Sequence, residues 1–282
     1  MADKEKSKAG KSKIDLASVL GLVGGIGAII TGMMMEGGKL ADILQVTAAI
    51  IVLGGTLGAV MVTTPLSILL GAAKKLGGVF FEKSHSSADI IEEIISYASK
   101  ARRSSIVSLE SDLDNIHDPF LRKALTLAVD GTDLNAIRGI MELDIALEEK
   151  ANEAEAKVYE AAGGYAPTIG IIGAVLGLIQ VMKHLENIDE VGRGIAVAFV
   201  ATVYGVGFAN LFFLPAGNKL KARAHAILHS KELMLEGVCS IVEGLNPKLI
   251  RVKLEAFARE KASKEKAKAG EQAAPAAAAA KG

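Results

Sequence analysis

The chain of 282 residues has no tryptophan, a single cysteine and only 4% aromatic side chains. The lone thiol, Cys239, excludes an internal disulfide and falls in the expected cytoplasmic tail, where a free, inert thiol, packed or exposed, is the ordinary case. The most informative absence is charge. Four runs, Leu16–Met35, Ile43–Ala73, Ala161–Met182 and Ile195–Gly217, contain no Asp, Glu, Lys, Arg or His. Proton relays and ion pumps need an ionisable group inside the membrane. If ions pass through these runs, another chain must bring the titrating group.

Each run reaches the roughly 18–20 residues that cross a hydrocarbon core about 30 Å thick. The expected fold is therefore an all-α membrane protein. It has four transmembrane helices and a large cytoplasmic helical insert between the second and third. A net charge of zero conceals an asymmetry. The start, MADKEKSKAGKSK, is lysine-rich, Lys74 and Lys75 follow the second run, and Lys219, Lys221 and Arg223 follow the fourth. The positive-inside rule places both termini and the insert in the cytoplasm. The first run is too long for a signal peptide, and no small-residue cleavage site follows it.

The layout expected along the chain has six parts. A basic cytoplasmic tail (1–13) leads to a first transmembrane hairpin (14–73) and the helical insert (74–160). A second hairpin (161–217), a cytoplasmic helical tail (218–260) and a disordered Ala/Lys-rich end (261–282) follow. The insert reads as helical throughout. Ser87 is a cap candidate, with Ile90, Ile91, Ile94, Ile95 and Ala98 on one face. A second helix has Asp118 as cap, Pro119 at its first position and Gly131 as stop. A third begins near Asp133 and continues toward the third run.

Helices in lipid gain little by burying apolar side chains against each other, so small residues line their contacts. Gly170 and Ala174, and Gly173 and Gly177, make such a strip on the third run; Ala201, Gly205 and Ala209 make one on the fourth. The first run has Gly21 with Gly25 and Gly24 with Ala28 and Gly32, and the second has Gly54 with Gly58 and Gly55 with Ala59. Packing inside the chain would account for about half of these faces, and four of them in one four-helix chain point to helices from other chains for the rest. Pro167 at the start of the third run and Pro215 at the end of the fourth both lie toward the cytoplasmic edge, where paired bends could form a hinge. Few polar atoms remain at mid-membrane. Thr202 should lie within roughly one turn of the depth of Ala174, and Thr56, Thr63, Thr64, Ser67, Tyr204 and Asn210 are the others. The ordinary role of a membrane threonine is a bond to its own backbone.

Signatures of catalysis, cofactors and metals fail one by one. GIGAII (Gly25–Ile30) lacks the third glycine of a dinucleotide loop, and DLDNIHD (Asp112–Asp118) lacks the glycine and spacing of a calcium loop. His225 and His229 have no evident third ligand. No enzyme class, cofactor, metal or nucleic-acid partner is expected.

Three stretches, ARRSSIVSLESDL, GGYAPTIGIIGAVLGLI and GIAVAFVATVYGVGFANLFFLPAGNKL, resemble the MotA branch of the MotA/TolQ/ExbB proton channel family across residues 14–260. The resemblance implies a flagellar motor stator subunit of the bacterial inner membrane, a pentamer around a dimer of MotB-like partners. The partner, anchored to peptidoglycan, would supply the membrane Asp. Pro167 and Pro215 match the family's functional prolines, and Arg102 and Glu110 match its charged contacts to the rotor protein FliG. Thr202 and Ala174 fall at its ion pathway, with Gly170, Gly173, Gly177 and Gly205 as packing positions. Sodium-using members usually carry a hydroxyl where Ala174 stands, which favours protons over sodium here. The alternatives are an energiser of outer-membrane transport of the ExbB/TolQ type and a non-conducting membrane scaffold.

Overall fold

A computed structural model describes residues 13–82 and 86–259, so most of the expected tail 1–13 and the end 261–282 lie outside it. The described chain is almost wholly helical, with four helices long and apolar enough to cross a membrane: Leu16–Met35, Leu40–Thr63, Leu134–Lys183 and Ile188–Val242. The all-α expectation has one small exception among the described residues. Lys13–Ile14 pairs antiparallel with Phe81–Glu82, in register Lys13 to Glu82 and Ile14 to Phe81.

The second span departs from its sequence reading. The run Ile43–Ala73 was expected as one helix, but Pro65 divides it. Thr64 takes extended backbone, as the residue before a proline is pushed to do, and Leu66–Lys75 forms a separate helix. A second interruption, at Leu44 and Gln45, is sealed by Tyr204. Its hydroxyl donates to the Ile43 carbonyl at 2.6 Å and accepts from the Gln45 amide at 3.4 Å. Backbone groups freed within an apolar run need such partners. Ile50–Gly54 and Ala209–Phe213 are single π-helical turns in the second and fourth spans.

The chain divides into two compact units. The first comprises Met1–Lys83 and Lys150–Ala224, and so holds the four apolar stretches. Its helix ends are tied by charge. Asp15 caps Leu16–Met35 through the Ser18 amide and pairs with Lys219 at 2.5 Å and Arg223 at 2.8 Å. Arg223 also donates to the carbonyls of Gly78 and Phe81, which holds the short β-ladder in place. Lys219, with the Ser18 amide and Arg223, keeps the Asp15 carboxyl well below the usual carboxylate range. Tyr159, buried among Ala72, Val79 and Ala216, donates its hydroxyl to the Ala72 carbonyl at 2.8 Å.

The second unit comprises Ser84–Glu149 and His225–Gly282. Its first helix, Ser87–Ser104, is capped by Ser86 and not by Ser87. Ser86 has the extended backbone a cap requires, and its hydroxyl accepts from the Ala88 amide at 3.3 Å. The helix ends at Ser105, whose φ of +74° is positive for a residue with a side chain. A 3-10 helix, Ile106–Asn115, follows. Asp118 caps Pro119–Val129 by accepting from Phe120 and Leu121, and Gly131, at φ +74°, closes it. The core joins Ile94, Leu109, Leu121, Leu125, Ile137 and Met141 to Leu233, Val238, Ile250 and Leu254. Cys239 lies inside this core, where burial pushes its thiol upward and away from reactivity. Glu236 receives both Arg138, at 3.2 Å, and Lys253, at 2.5 Å. Burial would raise its carboxyl, but the two cations outweigh it and hold the group below its ordinary value.

Candidate functional site

The uncharged glycine stretches of the third and fourth spans face each other in an antiparallel seam. A methyl group added at Gly170 would lie 2.9 Å from the Ala201 carbonyl oxygen and 3.3 Å from the Gly205 Cα. One added at Gly205 would lie 2.5 Å from the Ala166 carbonyl oxygen and 3.1 Å from the Gly170 Cα. Toward the other end of the seam, a methyl at Gly177 would meet the Gly194 carbonyl oxygen at 2.7 Å. At Gly173 it would come within 2.7 Å of the Ala201 Cβ and 3.3 Å of the Ile51 Cγ2, so three spans converge there. The helices approach backbone to backbone because no side chain intervenes.

This geometry divides the small faces into two kinds. On the third and fourth spans they serve packing inside this chain, because the short turn between them returns the fourth antiparallel beside the third. By contrast, Gly21, Gly24, Gly54 and Gly58 have nothing within 4 Å of where a side chain would begin. Gly194, which sequence reasoning did not single out, completes the seam opposite Gly177. Its signal was a glycine just outside the fourth charge-free run.

Thr202 stands beside this seam. A methyl on Gly170 would be 3.4 Å from the Thr202 Cα, which places Thr202 level with Gly170 and one turn from Ala174. The Thr202 hydroxyl bonds the Ala198 carbonyl at 3.3 Å, the ordinary membrane role. Thr202 is half-buried, as are Ala174 and Pro167. Pro167 sits inside the helix Leu134–Lys183, where its ring removes one backbone donor. Pro215 is exposed and follows directly on the π-turn Ala209–Phe213 and Leu214. A methyl on Gly163 would meet the Leu214 side chain at 2.5 Å, so the two prolines lie about one turn apart in depth.

Arg102 and Glu110 belong to the second unit. Arg102 is in the last turn of Ser87–Ser104 and Glu110 is on the 3-10 helix, with Ser105 between them. Both are exposed, and among the described residues neither forms an ion pair. The neighbouring Lys100, by contrast, is held by Asp112 at 2.7 Å. Among the described residues no group of His, Cys, Asp and Glu could hold a metal ion. His229 stacks on Phe257 with ring centroids 5.7 Å apart.

Residues 112–233 match the MotA/TolQ/ExbB proton channel family, and residues 19–104 match the family described as Motility protein A N-terminal. Motility protein A of Bacillus subtilis (strain 168) is 34% identical over 242 residues, covering 86% of this chain and 90% of that protein. The chain belongs to the MotA/TolQ/ExbB proton channel family. Chemotaxis protein PomA of Vibrio alginolyticus is 32% identical over 237 residues, 84% of this chain and 92% of that one. The solved structure of C. jejuni MotAB superimposes with a TM-score of 0.82 at 33% identity, over 86% of this chain and 96% of that chain. Within the MotA/TolQ/ExbB family, the chain's four spans make it a multi-pass membrane protein.

Proposed function

We propose that this chain is a flagellar stator subunit that joins a MotB-like partner to conduct ions inward and convert the flow into torque. The observation that carries the reading is the membrane part itself. The four charge-free runs, with their built glycine seam, offer no Asp, Glu, Lys, Arg or His, so an acid on a foreign helix must titrate. The likeness to a solved MotAB supports a partner of that kind. The complex sits in the bacterial inner membrane with both termini cytoplasmic, as a pentamer around a partner dimer anchored to peptidoglycan.

In this mechanism the partner's Asp takes up a proton from outside. Desolvation between apolar helices favours its neutral form. Thr202, level with the seam, can exchange its backbone bond for one to that carboxyl group, and Ala174 beside it supplies no oxygen. Sodium requires several hard oxygen ligands, so protons are the coupling ion. Each charge crossing about 100 mV releases about 2.3 kcal/mol, enough to shift the balance between two similar packings. Pro167 and Pro215 act as hinges passing the shift to the second unit, where Arg102 and Glu110 contact FliG. Both charges are exposed and unpaired within the described chain, as a docking surface requires.

The test is swimming in a host stripped of its own stators and supplied with this chain and its partner. Motility that collapses with a proton uncoupler and ignores external sodium is expected. Motility that follows sodium and survives the uncoupler overturns the ion assignment; no motility at all overturns the stator reading.

A further inference from the structure

The edge at which the first span begins carries apolar surface that the described chain leaves uncovered. Ile14 and Phe81 stand directly opposite each other in the short ladder, so their side chains share one face. They are 61% and 51% exposed. Ile14 lies two residues before Leu16, where the first span starts, a distance of about 7 Å in extended chain. Interfacial segments bury their apolar faces about 5–10 Å into the boundary between headgroups and acyl chains, and this rung is within that reach.

The break at Pro65 builds a second piece of the same surface. The Asp15 amide donates to the Phe80 carbonyl at 2.8 Å, which joins the start of the first span to the segment that follows the helix Leu66–Lys75. One side of that helix packs inward: Gly71 lies against Glu155, and the Ala72 carbonyl accepts from Tyr159. The other side presents Leu66, Leu70 and Lys74, spaced four apart and all exposed. An exposed apolar row that ends in a lysine is the pattern of a helix lying in the plane of a membrane interface.

Charge decides what covers this surface. Residues 1–13 hold five lysines against Asp3 and Glu5. Lys75 is held by Glu155, and Lys221 by Glu160 at 2.7 Å, but Lys74 forms no ion pair among the described residues. Lys219 and Arg223 share one carboxylate, that of Asp15. Positive charge is therefore in excess on this edge. A second copy of the chain meeting it face to face would add like charge, whereas an anionic leaflet complements it. Groups of about four to eight lysines or arginines beside a span are the mark of anionic-lipid binding.

We propose that this edge is a seat for anionic phospholipid headgroups. Ile14, Phe81, Leu66 and Leu70 enter the boundary layer, while Lys74 and the lysines ahead of Ile14 attract the phosphates. The seat sets the level at which the first two spans meet the membrane surface.

The absence of tryptophan from the chain makes a direct test possible. Phe81→Trp puts a single indole on the rung of the full-length chain. The protein is reconstituted in vesicles of phosphatidylglycerol and phosphatidylcholine mixed equally, with one or the other lipid brominated, because bromine quenches only an indole that it touches. Quenching by both lipids is expected, with the anionic one enriched about fivefold or more, the worth of one lysine near an anionic surface. Changing Lys4, Lys6, Lys8, Lys11 and Lys74 to Gln together should move the two lipids toward parity, as should about 1 M salt. Equal quenching by both lipids around the unaltered lysines overturns the proposal, and so does a preference left unchanged by the loss of all five. No quenching by either lipid also overturns it and means that protein, such as a second copy of the chain, covers the rung. Should Phe81→Trp fail to fold, Ile14→Trp places the indole on the facing strand of the same rung and is read in the same way.

Discussion

Adding one methyl group at Gly205 challenges the glycine seam directly. The new Cβ would stand 2.5 Å from the Ala166 carbonyl oxygen and 3.1 Å from the Gly170 Cα, both backbone atoms that no rotamer change can move. Carbon-to-oxygen contacts between helices ordinarily lie near 3.3–3.6 Å, so the two helices must separate by roughly 1 Å. Overpacking of this kind costs about 1–3 kcal/mol. That is a ~5-fold to ~150-fold shift in the folding equilibrium. Gly163→Ala is the graded comparison, because its obstruction is the Leu214 side chain at 2.5 Å. A side chain can leave its preferred rotamer for about 0.5–1.5 kcal/mol. Gly164→Ala is the control, exposed and with nothing within 4 Å. Thermal unfolding midpoints of the three variants, purified in one detergent, should fall in the order Gly205→Ala, Gly163→Ala, Gly164→Ala, lowest first. Matching midpoints for Gly205→Ala and Gly164→Ala would refute the close-packed seam.

Other expectations concern the ends of the helices and the second unit. Ser105 holds φ +74° and ψ 157°, a region suited to glycine, so Ser105→Gly should relieve about 1–3 kcal/mol of strain and raise the unfolding midpoint. An unchanged or lowered midpoint removes the strain. Arg102→Glu should impair swimming while membrane insertion and complex assembly remain normal; full motility takes Arg102 out of rotor contact. Asp15→Asn should loosen the Lys219 and Arg223 ties, seen as faster amide exchange at Ile14 and Phe81, and unchanged exchange there counts against the clasp. The depressed carboxyls of Asp15 and Glu236 give a sign for pH. Their stabilisation is complete above the ordinary Asp and Glu values near 4 and is lost only as pH falls through the lower folded values. Stability that declined between pH 7 and 5 and was insensitive to Asp15→Asn and Glu236→Gln would mean that other groups dominate.

The spans were legible because charge is excluded from long stretches, a property that needs no three-dimensional partner. The same holds for Asp118, Pro119 and Gly131, whose roles depend on local backbone alone. What escaped was set by geometry across elements. Whether Gly170 meets another chain or Gly205 of its own depends on the hairpin's register, which composition does not encode. Pro65 could have been read as a break, since a proline deep in an apolar run forces the preceding residue out of the helix. Ser86 and Ser87 are chemically equal caps, and only the backbone of Ser86 decides between them. Asp15 is a cap candidate ahead of an apolar run, but its two cations come from more than 200 residues away. Thr56 was visible as a polar residue, and that its hydroxyl is buried without a partner appears only once its neighbours are placed.

The central idea is that the membrane part of this chain is an uncharged enclosure whose ions are handled by an acid on another polypeptide. Ion flux into vesicles tests it most directly, comparing the purified chain alone, the chain with its partner, and the chain with a partner whose membrane Asp is replaced by Asn. Flux from the intact pair only is expected. Sustained flux from the chain alone, or from the pair lacking the carboxylate, would contradict it.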